Sequence, residues 1–177
     1  MATKKWLFDK AHTQIRFTVR HMMITAVTGS FNEFDASIVS EDEDFAKAKI
    51  DFTVNTASVS TGNDDRDNHI KSSDFFDVAT YPQLKFRSKK VEILNEENYI
   101  LHGEMTIKNI TTNFSVDVVY RGKIKDPWGK DKFGFSINGK LNRSDFDLKW
   151  NVIAESGGIL IGEEVKIACE VQLVEAA

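Results

Sequence analysis

Apolar residues recur at every second position through most of the chain, the period of a strand with one buried face. Ile15, Phe17 and Val19 alternate with Gln14, Arg16, Thr18 and Arg20, and His21 falls in the apolar phase. Between Val27 and Val39, Phe34, Ala36 and Ile38 share one face while Phe31 is out of step, so the spacing predicts a bulge or a bend there. Ala48, Ile50, Phe52 and Val54 form the next set, and then Leu84 and Phe86, with Val91 and Ile93 continuing it. After a turn over 95–98 come Tyr99, Leu101, Met105 and Ile107, followed by Phe114, Val116, Val118 and Tyr120. Phe133, Phe135, Ile137 and Leu141 make another set, and Val165, Ile167, Cys169, Val171 and Leu173 the last. The pattern predicts about eight strands, most of them roughly ten residues long, joined by turns rich in Gly, Asn and Asp. No helical segments alternate with them, which argues against a parallel βαβ sheet and for an antiparallel meander.

One interval breaks the rhythm. From Asn63 to Tyr81 the period of two disappears; Asp64, Asp65 and Asp67 gather at its start and Lys71 follows, the charge order a helix dipole favours. Asn63 is a suitable N-cap. The segment predicts a short helix at about 64–72, a second turn at Asp74–Asp77 and a return at Tyr81-Pro82. The acidic run Glu41–Asp44 reads as a solvated hairpin loop.

An open eight-stranded sheet would leave two exposed edges, and closing it into a barrel removes them. The expected fold is therefore all-β: one domain over residues 1–177, an extended eight-stranded antiparallel β-barrel, lipocalin-like, with a short helix beside it. A barrel of about eight strands is just wide enough inside for packed side chains or one slender ligand. The inward phase includes small residues at Ala48, Gly103, Gly139 and Cys169. These either leave space along the axis or, at the glycines, relieve strain as kinks.

Charge and composition narrow the function. There are 23 Lys+Arg against 27 Asp+Glu, a net charge of −4, which disfavours a duplex nucleic-acid partner. A single cysteine, Cys169, excludes an intrachain disulfide and a cysteine-based zinc cluster. No run approaches the ~18 apolar residues of a membrane helix. The polar N-terminus shows no secretory h-region, so a cytoplasmic setting is the default expectation. The acids around Asp64 lack the order of an EF-hand loop, and no nucleophile elbow or phosphate loop is legible, so neither metal, cofactor nor catalysis is expected.

Several motifs together resemble the YceI-like family of polyisoprenoid-binding, lipocalin-like proteins. They are Asp9-Lys10-Ala11-His12-Thr13; Phe17 through Met22; Val27-Thr28-Gly29-Ser30-Phe31; and Thr61 through Ile70 with Ser73-Asp74-Phe75-Phe76-Asp77 and Tyr81-Pro82. Further along stand Gly103-Glu104-Met105-Thr106-Ile107, Trp128-Gly129, Asn142-Arg143-Ser144-Asp145-Phe146 and Ile161-Gly162-Glu163-Glu164-Val165. Thr13 replaces the usual Ser, Asp147 stands where the family commonly has Gly, and Glu163-Glu164 replaces a G-D-x-V type ending. The resemblance implies that a long-chain isoprenoid or similar fatty lipid binds inside the barrel, with a homodimer as a further option. The ligand-facing set is then Phe17, Val19, His21, Phe34, Ile50, Phe52, Phe86, Leu101, Met105, Phe114, Val116, Phe133, Phe135, Ile137 and Ile167.

Head-group candidates are Arg66, Asp67, His69 and Arg143. Each has a structural alternative: Arg66 could pin the helix through Asp67 or Asp145, Arg143 could pair with Asp145, and His21 could be a core histidine satisfied by one hydrogen bond. Two other functions stay open at this level: an enzyme acting on an isoprenoid chain, and a structural or stress-response interaction protein with a solid core.

Overall fold

The computed structural model describes residues 2–22, 24–151 and 161–176. The strands among them are β1 (Thr3–Phe8), β2 (Gln14–His21), β3 (Thr25–Phe31), β4 (Phe34–Glu41), β5 (Asp44–Asn55), β6 (Val59–Ser60), β7 (Gln83–Ile93), β8 (Asn98–Ile107), β9 (Ile110–Lys125), β10 (Asp131–Asn142) and β11 (Ile161–Glu175). Neighbours run β1-β4-β5-β7-β8-β9-β10-β11, all antiparallel, and β11 pairs back onto β1 through Trp6–Glu175 and Phe8–Leu173. The ring is closed and consists of eight staves. β2, β3 and β6 prolong the staves of β1, β4 and β5: β2 pairs with the first half of β11, β3 with β2, and β6 with β3.

Each broken stave has a local cause. Between β1 and β2 a 3-10 turn spans Lys10–His12. The buried Thr13 hydroxyl donates to the Asp9 carbonyl (2.7 Å) and accepts from the Gln172 N–H (3.2 Å), so the displaced backbone is tied back to β11. The stave expected over 27–39 is interrupted at Asn32-Glu33, and this places both Phe31 and Phe34 on the inner side although they are out of phase. β5 and β6 are separated by a 3-10 turn at Thr56–Ser58, whose Asn55 side chain accepts from the Ala57 N–H. In β7 a register shift between Ser88 and Lys90 returns Val91 to the inner face, while Ile93 is exposed at the rim.

β1 has no counterpart among the strands expected from the sequence. In Thr-Lys-Lys-Trp-Leu-Phe the inward Trp6 and Phe8 flank Leu7, which is half exposed on the outside, so the alternation is hidden. Helix α1 (Asp64–Lys71) is capped as expected: the Asn63 carboxamide oxygen accepts the Arg66 N–H at 2.9 Å, and Asp64, Asp65 and Asp67 occupy the first turn. Turns rather than a second helix connect α1 to β7. The 3-10 turn Arg143–Phe146 ends at Asp147, whose φ of 59° is left-handed, the conformation that glycine takes most easily.

The inward glycines do not leave open space along the axis. A Cβ on Gly103 would meet the Phe86 ring and the Arg87 carbonyl; one on Gly139 would lie 2.7 Å from Val116 Cγ1; one on Gly29 would meet the Phe17 ring. Each vacancy is filled by a side chain of the neighbouring strand. The glycines therefore make room for the Phe86 and Phe17 rings and for the Val116 side chain.

Candidate functional site

The β4–β5, β7–β8 and β9–β10 turns share one rim of the barrel; α1, the β2–β3 turn and the β10–β11 connection share the other. The first rim is floored by aromatics. Trp6 lies 4.9 Å from Phe45 and 5.0 Å from Phe133, and Phe45 lies 5.1 Å from Phe135, centroid to centroid. The Trp6 indole N–H donates to the Ser40 hydroxyl at 2.8 Å, which satisfies the one polar atom of that cluster. At the α1 rim, His69, Phe75 and Trp150 meet at 4.5–5.5 Å, and Phe76 packs edge-on against Phe31.

Between these clusters runs a cavity of about 530 Å³. That is within the ~300–1,000 Å³ of small-molecule sites. Its wall is almost wholly aliphatic and aromatic. Inward-facing Phe17, Val19, Ile137, Val165 and Ile167 are only half-buried, because they face open space rather than packed neighbours. Among the described residues the interior is hollow rather than filled by side chains.

Of the residues expected to face a ligand, Phe17, Val19, His21, Ile50, Phe52, Phe86, Leu101, Met105, Phe114, Val116, Phe133, Phe135, Ile137 and Ile167 line this cavity. Phe34 does not: it is buried behind Phe8 and Phe52, with ring centroids 5.4 and 6.3 Å away. Lining residues absent from that set include Phe8, Phe45, Phe75, Phe76, Tyr120 and Leu148. Phe8 belongs to the hidden strand, while Phe75, Phe76 and Leu148 come from turns, where periodicity gives no direction.

The polar candidates separate by what their hydrogen bonds are committed to. Arg143, 4% exposed, donates to the carbonyls of Gly162 (2.8 Å), Leu148 (2.8 Å), Trp150 (3.2 Å) and Ile161 (3.3 Å). It pins the two ends of the β10–β11 connection and makes no pair with Asp145. Burial pushes its pKa down from the ordinary value, with Glu163 at 3.8 Å acting the other way. A guanidinium remains charged in a protein.

Asp67 is buried outside the cavity lining and accepts from the Thr61 N–H and hydroxyl. Arg66 donates through Nε to the Thr61 hydroxyl (2.7 Å) and through Nη2 to the Thr61 carbonyl (2.8 Å). Helix α1 is thus pinned through Thr61, not through a direct Arg66–Asp67 or Arg66–Asp145 pair. Arg66 keeps further N–H groups at the cavity wall. His69, also lining, bonds Asp74 at 2.8 Å. The His21 ring lines the cavity with no hydrogen-bond partner among the described residues, which departs from the satisfied core histidine.

At the opposite rim a second polar group reaches the cavity. Lys123 bonds Glu43 at 3.1 Å and Asp131 at 3.5 Å and sits 5.3 Å from the Phe133 ring centroid. The Glu43 carboxylate raises the Lys123 pKa, so the ammonium is kept charged. Burial raises that of Tyr120 beside it, which keeps the phenol neutral. Cys169 faces the lumen as an inert thiol, its pKa pushed up to about 11 by burial.

The family model of the YceI-like domain matches residues 6–173, nearly the whole barrel. The chain belongs to the YceI-like family. A UPF0312 protein of Staphylococcus aureus (strain bovine RF122 / ET3-1) is 36% identical over 160 residues, covering 90% of this chain and 91% of the relative. The YCEI protein of Campylobacter jejuni superposes with a TM-score of 0.75 at 34% identity, over 89% of this chain and 90% of that one. BcnA of Burkholderia cenocepacia reaches a TM-score of 0.78 at 21% identity, over 93% and 98%, a likeness of fold. A structure described as a polyisoprenoid binding domain from Saccharophagus degradans has a TM-score of 0.68 at 13% identity, over 98% and 99%, again a likeness of fold. Among the described residues of this YceI-like protein, no helix is long and apolar enough to cross a membrane.

Proposed function

We propose that this YceI-like protein binds one long isoprenoid or similar fatty chain along the barrel axis and acts as its carrier. The observation that carries this reading is the hollow, aliphatic-walled lumen, bounded by an aromatic floor at one rim and by polar side chains at the α1 rim. An apolar space inside a close-packed protein loses dispersion contacts, and an apolar guest restores them. The polyisoprenoid-binding description of the Saccharophagus degradans domain supports the choice of chain.

In the bound state the tail lies against Phe17, Ile137 and Ile167, and the head group lies near α1. There His21 offers a ring without a partner among the described residues, and Arg66 offers N–H groups that Thr61 does not take. Arg143 holds that rim together rather than contacting the ligand, because backbone carbonyls occupy its donors.

Native mass spectrometry of protein purified from cells tests this. The expected result is a co-purified amphiphile, lost in Ile167→Phe, a substitution that fills the lumen while the melting temperature is kept or raised. Protein free of lipid in every preparation, with no thermal shift on adding a polyprenol, would overturn the proposal.

A further inference from the structure

The β2–β3 turn carries apolar side chains into solvent at the α1 rim. Ile24 is 75% exposed and Met22 46%, and Met22 holds a left-handed φ of 52°. The Ile24 N–H bonds the His21 carbonyl at 3.2 Å, which ties the two sides of the tip together. Behind the tip, four exposed cations stand on three adjacent strands, two of which, Arg16 and Arg20, also border the cavity. Arg16 and Arg20 lie on β2, Lys166 pairs in register with Thr18, and Lys140 pairs directly with Lys166. All four are exposed, and none has a carboxylate partner among the described residues. Lys140 opposite Lys166 is a like-charge pair that costs stability, so the patch is not there for the fold. The nearest acids on β11 are Glu163, drawn to Arg143, and Glu164, opposite Asn142. On the inner face of the same hairpin, Val19, His21 and Val27 line the lumen.

We infer that the β2–β3 tip is a membrane-docking element: Met22 and Ile24 enter the interface of an anionic bilayer while Arg16, Arg20, Lys140 and Lys166 meet its head groups. Two exposed side chains, Met22 and Ile24, do not supply the ~800 Å² per partner that a protein–protein interface buries. A bilayer needs only a modest apolar insertion combined with attraction between basic residues and anionic lipid. Docked this way, the barrel brings the lumen-lining root of the hairpin against the lipid surface. The direction of transfer, from bilayer to lumen, rests on the lipid-carrier reading; the docking itself does not.

Co-sedimentation with vesicles of phosphatidylcholine alone and of phosphatidylcholine mixed with phosphatidylglycerol tests the inference. The parent should partition onto the anionic vesicles and release as salt is raised. Ile24→Asp, and separately the double variant Lys140→Glu/Lys166→Glu, should each weaken that partition by about tenfold or more. Trp128→Ala serves as the control, because Trp128 is 85% exposed at the opposite rim.

No binding to anionic vesicles, undiminished binding in Ile24→Asp, or a loss found only in Trp128→Ala would overturn docking through this hairpin. A dimer–monomer shift in Ile24→Asp without vesicle binding would assign the tip to an interface between copies and likewise overturn it. Lipid retained in the lumen of Ile24→Asp separates a failure of docking from a failure of the carrier function.

Discussion

Gly103 and Gly134 both lie within strands, and their surroundings predict opposite responses to the same methyl group. At Gly103 an added Cβ meets the Arg87 carbonyl and the Phe86 ring, and the backbone atom cannot rotate away. At Gly134 the nearest atom is Arg121 Cβ at 3.5 Å, an ordinary contact. Gly103→Ala should therefore cost about 1–3 kcal/mol in urea unfolding through overpacking, whereas Gly134→Ala should remain close to the parent. The sequence marks Gly103 as inward but not as a recess for a ring, because the partner, Phe86, reaches it from the adjacent strand. The same limit holds for Arg143 and Arg66. Their presence in motifs is visible, but their commitment to carbonyls and to Thr61 depends on segments that only folding brings together.

At the scale of elements, most of the barrel was legible because a half-buried strand leaves a period of two in the sequence. The staves from β5 onward, the interruption near Phe31 and the Asn63 cap all follow from local pattern. β1 was not legible, since Leu7 faces outward between Trp6 and Phe8. The break between β1 and β2 was seen only as a motif; its physical content is the Thr13 hydroxyl bridging the Asp9 carbonyl and the Gln172 N–H. Thr13→Ser should preserve both bonds and unfold near the parent midpoint. Thr13→Val leaves the Gln172 N–H without its acceptor and should cost about 1–3 kcal/mol. Equal midpoints for the two variants would show that the hydroxyl does not fix the break.

Across the whole molecule, one ion pair links the broken stave to the far side of the β11 neighbour. Asp9 accepts from Lys132 of β10 at 2.9 Å and from His12 at 3.0 Å. The Lys132 hydrogen bond is the main cause that holds the Asp9 carboxyl below the usual carboxylate range, against the opposing effect of desolvation. A carboxyl with a lowered folded pKa adds stability in full above its unfolded value, about 3.9, and loses it as pH falls through the folded value. Asp9→Asn should thus melt roughly 2–4 °C lower at neutral pH. The gap from the parent should close as the scan is moved to acid below about pH 4. A gap that stays constant to low pH would mean that charge at Asp9 is not what stabilises the seam.

The pairing of β1 with β11 places the first and last strands side by side, with the Ala176 N–H bonded to the Lys5 carbonyl at 2.9 Å. The start of β1 and the end of β11 therefore lie together at the rim floored by Trp6 and Phe45, opposite α1 and the β2–β3 tip. An affinity handle or surface tether placed before β1 or after β11 would hold the barrel from behind, with the opposite mouth turned outward.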